Sequence, residues 1–333
     1  MRVHITSLHG HASISTAQNA QQMIASVARD MGFNELSIYA YPVSVDSESE
    51  LSKRLDGIVA GISHQDIVFV QFPTWNGMEF DKKLIYKLKL YNRLKLIIFV
   101  HDVIPLMFDG NYYLMDETIE LFNLADALIL PTAKMYERLK EAGLKNERVI
   151  FQQIWDFTHH LTLNKPSFKK IVHFAGQARK FEFCNNWHLD YVLRLYGSDA
   201  ELKEGVNVQF RGWHNRDQLL LALSEGGFGL VWSENNFWSQ YMTMNVSYKI
   251  STYLSAGIPI IARKGISNQQ LIEENGLGII VDSLEELNHV LSEMTEQRYQ
   301  ELVTNVEQFS YLLQNGYFTK KIFVDAIHAV QKK

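Results

Sequence analysis

Met244-Asn-Val-Ser-Tyr-Lys-Ile-Ser-Thr-Tyr-Leu-Ser-Ala-Gly-Ile-Pro-Ile-Ile261 joins a cationic, hydroxyl-rich helix start to a small-residue helix exit that feeds an apolar strand. Residues 246–255 read as a helix and residues 258–262 as a buried strand, with Gly257 and Pro259 punctuating the passage between them. Asn245 or Ser247 is placed to cap the helix, and the remaining amides point outward with the positive end of the helix dipole. Lys249 stands in the first turn, so an anion bound there meets free N–H groups, the dipole and an ammonium together. Thr252 and Tyr253 share the face of Lys249 and are expected within reach of a ribose or a sugar. The competing reading is an ordinary buried helix whose lysine snorkels to solvent.

A second element weighs against that plainer reading. Lys170-Ile-Val-His-Phe-Ala175 reads as a buried strand and runs directly into Gly176-Gln-Ala-Arg179-Lys180. A glycine there permits a tight turn, and open α/β sheets bind ligands beyond the carboxyl ends of their strands. Arg179 and Lys249 are therefore expected to converge on one phosphate pair.

Outward from these two segments the chain alternates. In the first half, strand-like runs at 3–6, 36–41, 67–71, 96–100, 127–130 and 148–151 are separated by helical patterns at 15–31, 48–62, 81–91, 116–123 and 133–142. The rhythm breaks at 155–167, read as a linker, and resumes with strands at 171–175, 192–196, 208–210, 228–232, 258–262 and 278–281. Helices are expected at 216–224, 246–255 and 284–294, and a last one at about 319–330 that crosses back onto the first domain. Such alternation implies parallel pairing. The expected architecture is α/β, two Rossmann-like doubly wound domains with a cleft between them: residues 1–157 with a C-terminal helix at 317–333, and residues 168–316.

Composition removes several classes of function. A chain of 333 residues with a formal charge of −5 and a pI near 6.2 has no face-wide basic excess, which argues against a nucleic-acid partner. Its one cysteine, Cys184, builds neither a disulfide framework nor a cysteine zinc site. The start, Met1-Arg-Val-His-Ile-Thr6, lacks a signal-peptide apolar region, and no run of ~18 apolar residues is present to span a bilayer. The expected location is cytoplasmic. His159-His160 reads as linker or surface rather than as metal ligands. The residues after the first strand, Ser7-Leu-His-Gly-His-Ala12, lack the Gly-x-Gly-x-x-Gly pattern of a dehydrogenase.

Several short motifs at strand ends, in this order, are Ser15-Thr16-Ala17-Gln18, Gln71-Phe72-Pro73, His101-Asp102-Val-Ile-Pro105, Gly176-x-x-Arg179, Gly212-Trp213, and Tyr248-Lys249 with Gly257-x-Pro259. With them the chain resembles GT-B glycosyltransferases over nearly its whole length. More narrowly, it resembles the Gtf-three type of bacterial glucosyltransferase, which extends O-linked N-acetylglucosamine on serine-rich repeat adhesins, and its galactofuranosyltransferase-like relatives. The resemblance implies a UDP-sugar donor held mainly by the second domain, a GlcNAc-bearing serine-rich glycoprotein as acceptor, and a homo-oligomer, with a tetramer the expected state.

On that resemblance Arg179 and Lys249 hold the diphosphate, flanked by Gly176, Ser247, Tyr248 and Thr252, and Trp213 either stacks on uracil or packs in the core. Thr16 either meets the donor from the other domain or simply caps its helix. Asp102 is the leading candidate for the base of an inverting transfer, with His101 orienting it or serving in its place, unless Asp102 only caps the following turn. Glu234-Asn235-Asn236 reads either as a ligand for donor-sugar hydroxyls or as a solvated loop. Many retaining relatives carry a glutamate where this chain has Thr252, and another where it has Met244, which points away from that retaining subfamily. No metal and no further cofactor are expected, since no Asp-x-Asp pair occurs and cations with helix amides can stabilise departing UDP. The alternatives are a non-catalytic GT-B partner of another transferase, a galactofuranosyltransferase, and a sugar-nucleotide epimerase.

Overall fold

The computed structural model describes residues 1–12, 15–199 and 201–332. The chain divides into two compact units, Met1–Gln153 together with the chain from Tyr317 onward, and Ile154–Gly316. The first unit contains β1 (Val3–His9), α1 (Thr16–Asp30), β2 (Asn34–Tyr39), α2 (Glu48–Val59), β3 (Ile67–Phe72), α3 (Met78–Lys89), β4 (Lys95–Val100), α4 (Ile104–Met107), α5 (Met115–Leu124), β5 (Ala127–Leu130), α6 (Ala133–Glu141) and β6 (Val149–Phe151). The second contains β7 (Ser167–Ala175), β8 (Val192–Tyr196), β9 (Val208–Phe210), α7 (Arg216–Leu223), β10 (Gly226–Val231), α8 (Asn236–Met242), α9 (Tyr248–Ser255), β11 (Ile260–Arg263), α10 (Gln269–Glu274), β12 (Gly278–Val281), α11 (Leu284–Ser292) and α12 (Glu296–Gln314). Helix α13 (Tyr317–Gln331) returns to the first unit.

Each unit is built on one parallel sheet. The first has the order β2-β1-β3-β4-β5-β6 and the second β12-β11-β10-β7-β8-β9. The central strands are apolar on both faces, as parallel strands covered by helices must be; every residue of Ile67-Val-Phe-Val-Gln-Phe72 is buried. The strand order reverses direction between β1 and β3 in one sheet and between β7 and β10 in the other, and these are the switch points at which doubly wound sheets hold ligands.

Helix α13 is held to the first sheet by Phe323, whose ring centroid lies 4.9 Å from that of Phe33 and 5.1 Å from that of Phe69. Lys333, the end of the helix expected there, lies outside the described residues. The segment read as a linker begins as a packed strap. Ile154, Trp155, Asp156 and Phe157 are buried. Trp155 Nε1–H donates to the Val246 carbonyl at 2.9 Å, and the Ser251 and Ser255 hydroxyls donate to the carbonyls of Trp155 and Phe157 at 2.6 and 3.4 Å. Asp and His interrupt the sequence rhythm here, but Trp155 and Phe157, on either side of Asp156, pack against Tyr248 of α9.

Helix α12 was absent from the sequence reading, although its buried residues Tyr299, Val303, Val306, Ser310 and Leu313 recur at helical spacing. Its anchor is Tyr299. The start of β10 carries a register shift against β7, with Gly226 at φ 118° and Gly227 at φ 88°. The Tyr299 hydroxyl accepts from the Gly227 N–H and donates to the Gly227 carbonyl, both at 3.0 Å, so one phenol satisfies both polar groups of the bulged residue.

Tyr299→Phe should therefore strand a buried N–H and a buried C=O together. The expected loss is about 1–3 kcal/mol of unfolding free energy. Chemical denaturation of the two proteins measures it.

Candidate functional site

The switch point of the second sheet is organised by α9. Tyr253 is fully buried, and its hydroxyl accepts from the Ala175 N–H at the end of β7, at 3.1 Å. Gly229 on β10 has no side chain because the Tyr253 ring occupies that space. One residue thus ties α9 to both strands at the reversal, and this fixes Lys249, one turn earlier, at the carboxyl end of β7. Tyr253 is accordingly core, not the sugar-facing group expected from helical spacing, and burial pushes its phenol above the ordinary value. Thr252 is buried as well and donates its hydroxyl proton to the Tyr248 carbonyl at 3.0 Å, leaving only acceptor capacity for a ligand.

The Lys249 ammonium lies over two aromatic faces, 5.6 Å from the Phe174 centroid and 5.5 Å from that of Phe181. Burial, and then the charge of Lys180, push its pKa down from 10.5 to about 8. Among the described residues no carboxylate contributes to holding this charge. A poorly hydrated ammonium beside a second cation is an arrangement that an anion relieves. The helix start is open to one. Ser247 occupies the N-cap position, but its side chain makes no capping bond, and the Asn245 side chain accepts instead from the Val246 N–H at 2.9 Å. The cap expected of Ser247 does not form. Tyr248 turns inward, its ring packed at 5.9 Å from Trp155 and 5.4 Å from Phe157, its phenol pushed by burial up to about 12. Its ring packs on the strap from Trp155, and its buried hydroxyl has no hydrogen-bond partner among the described residues.

The loops after β7, β8 and β9 lie side by side. The Gly176 N–H donates to the Tyr196 carbonyl at 2.9 Å and the Gly197 N–H to that of Gly212 at 3.2 Å, while Gln177 Nε2 donates to the Ser198 hydroxyl at 3.0 Å. Gly176 is required by crowding rather than by the turn expected of it: a Cβ there would stand 2.6 Å from the Phe174 ring and 3.2 Å from that of Phe181. Arg179 lies exposed in the turn Ala178–Lys180, its Nε 3.8 Å from Asp199 and its guanidinium 3.5 Å from Gln177 Oε1. The cation whose charge acts on Lys249 is Lys180, which the sequence reading quoted and did not nominate.

Trp213 is 45% exposed, which removes the core-packing alternative. Its loop is steadied by a buried relay. His173 is fully buried, with Nε2 2.9 Å from the Gly226 carbonyl and Nδ1 3.0 Å from the Tyr196 hydroxyl. A carbonyl only accepts, so Nε2 carries the proton and Tyr196 donates to Nδ1. The Tyr196 ring then meets His214, beside Trp213, edge-on at 5.1 Å.

The remaining nominees fall elsewhere. Thr16, in the first unit, is the exposed first residue of α1, whose cap is Ser15, accepting from the Gln18 N–H at 3.2 Å. Asp102 is half-buried just past β4. His101 is buried against Phe99, 5.0 Å between centroids, and burial pushes its pKa down to about 3. A neutral imidazole of such low basicity suits orientation better than proton abstraction near neutral pH. In the second unit, Asn235 caps α8, accepting from the Trp238 N–H at 2.9 Å, and Asn236 begins that helix, so the expected loop is only Glu234 and its neighbour.

Comparison with known proteins places this geometry. The model of the glucosyltransferase 3-like N-terminal domain matches residues 2–154, and that of the C-terminal domain residues 172–326. Glucosyltransferase 3 of Streptococcus gordonii is 45% identical over 333 residues, 99% of each chain. The protein of the same name from Streptococcus parasanguinis is 44% identical over 328 residues, 98% of each. Among solved structures, Anabaena HepE in complex with UDP superposes with a TM-score of 0.69 at 12% identity, covering 98% of this chain and 100% of that one, a likeness of GT-B fold.

Lys249→Met tests the electrostatics without a ligand. The folded pKa of about 8 lies below the ordinary 10.5, so between those values the unfolded chain binds the extra proton. The wild-type group is therefore most destabilising below pH 8, and its burden lifts as pH rises toward 10.5. The variant should melt about 2–4 °C higher at pH 7, with the difference narrowing as pH rises. Thermal melts across that range read the outcome.

Proposed function

The chain belongs to the glucosyltransferase 3-like family, and from that premise we propose that it is a UDP-sugar-dependent glycosyltransferase. Its donor on this reading is UDP-glucose, with UDP-N-acetylglucosamine the alternative, and its acceptor is O-linked N-acetylglucosamine on a serine-rich repeat adhesin. The observation that carries the proposal is Lys249: a partly desolvated cation, beside Lys180 and the uncapped start of α9, at the switch point of a doubly wound sheet. A nucleoside diphosphate supplies the negative charge that this arrangement lacks, and helix amides add donors to its oxygens.

Transfer then forms a bond from the acceptor oxygen to the anomeric carbon and breaks the bond from that carbon to the diphosphate. The charge on departing UDP falls to Lys249 and Lys180, with Arg179 contributing from the exposed turn, and a divalent ion is not required. Trp213 offers its open face to the uracil. Thr16 is proposed as a donor-sugar contact from the first unit. In an inverting transfer Asp102 takes the acceptor proton, positioned by His101. The protein is proposed to act in the cytoplasm as a homo-oligomer, a tetramer on the resemblance, and light scattering on the purified chain is the check.

Lys249→Ala should lower UDP affinity roughly tenfold to a hundredfold, the size of a lost charge-assisted bond. Arg179→Ala should lower it less, because that guanidinium is exposed and shared with Asp199. Calorimetry with UDP is the check, and unchanged affinity in both variants removes the donor site from this place.

Asp102→Asn should reduce turnover about a hundredfold or more with UDP affinity unaltered. The assay is UDP release on a GlcNAc-bearing peptide, with the product weighed by mass spectrometry and a chelator in parallel. Near wild-type turnover makes Asp102 structural. Absence of any turnover by the wild type across a panel of UDP-sugars favours the non-catalytic partner instead.

A further inference from the structure

A lysine near a diphosphate site has to be held in place without being neutralised. A carboxylate would fix it but compete with the ligand for its charge. The faces of aromatic rings attract an ammonium through their quadrupole and leave that charge intact. Lys249 is held in the second way. Phe174 and Phe181 stand nearly perpendicular, 4.8 Å between centroids at 79°, and the ammonium lies at nearly equal distance from both. Phe183 supports Phe174 from behind, 4.9 Å away at 81°. Phe174 is fully buried on β7, whereas Phe181 closes the turn that carries Arg179 and Lys180. The two rings meet only because Gly176, between them in sequence, has no side chain.

We propose that Phe174 and Phe181 form an aromatic bed that positions Lys249 for the donor diphosphate, with Phe181 the positioning residue and Gly176 the gap that lets the bed close. The inference rests on the donor-site reading given above. It adds that the turn bearing Arg179 and Lys180 is registered to α9 through one ring, so that the cations from two separate segments share a common placement.

The test is a calorimetric double-mutant cycle with UDP on Phe181→Leu, Phe181→Tyr, Lys249→Ala and the Phe181→Leu/Lys249→Ala pair. Phe181→Leu should weaken UDP about five- to tenfold. Phe181→Tyr, which keeps the π face, should restore affinity to within about twofold, and this rescue separates a positioning role from general loss of packing. The pair should bind no more weakly than Lys249→Ala alone, because a residue acting through Lys249 has nothing left to act on. If Phe181→Leu binds like wild type, if tyrosine fails to rescue, or if the single losses multiply in the pair, Phe181 does not position Lys249. Those results leave the donor site standing as long as Lys249→Ala itself binds weakly. If Lys249→Ala binds UDP like wild type, the donor-site reading falls and this inference with it.

Discussion

The hydrogen bond from the Ala175 N–H to the Tyr253 hydroxyl sets where α9, and with it Lys249 of the proposed donor site, stands against the second sheet. It pins the middle of α9 to the last residue of β7, and the absent side chain of Gly229 lets the same ring lie on β10. The strap from Trp155 to Phe157 then ties α9 from the other side through Val246, Ser251 and Ser255. Held in this way, the first turn of α9 has little freedom to tilt, and Lys249 is delivered to the end of the sheet by geometry set a full turn away.

Against that rigid frame the charge is left unfinished. Ion pairs elsewhere in the second unit join opposite signs, as Arg194 does with Glu225 at 2.9 Å. At Lys249 the neighbouring charge has the same sign, and burial together with that charge pushes its pKa down. On the proposed function, stability is given up here for binding, as is common at functional positions. Asp81 in the first unit shows a different resolution: buried, with the Thr74 N–H and hydroxyl donating to its carboxylate, it is pushed by burial up to about 7.

The alternation of apolar runs with helical patterns made the two parallel sheets legible, because parallel strands are buried on both faces and stand out in a linear chain. Lys249 and the strand ending in Ala175 were legible for the same reason. What failed was the direction of side chains. Helical spacing put Tyr253 beside Lys249, yet a residue four positions on can lie toward the sheet, and only the space at Gly229 reveals which. The packing of the Tyr248 ring was not legible either, since Trp155 and Phe157, which it meets, are about ninety residues away in sequence. Lys180 was passed over for Arg179 because nothing local distinguishes two adjacent cations; burial of a distant lysine does. Helix α12 escaped notice because its apolar stripe is thin and interrupted by Ser310.

The glycine bulge at the start of β10 has a reach beyond its own strand. Its two residues present carbonyls to two different side chains, Gly227 to Tyr299 and Gly226 to His173. The second of these selects one tautomer of the imidazole, which in turn dictates that Tyr196 points its proton inward and sets its ring against His214. Burial keeps His173 neutral down to about pH 4, so the selection does not lapse under mild acid. A defect in strand pairing at the start of β10 thereby governs proton orientation two strands away, at the residue whose ring packs on His214 beside Trp213.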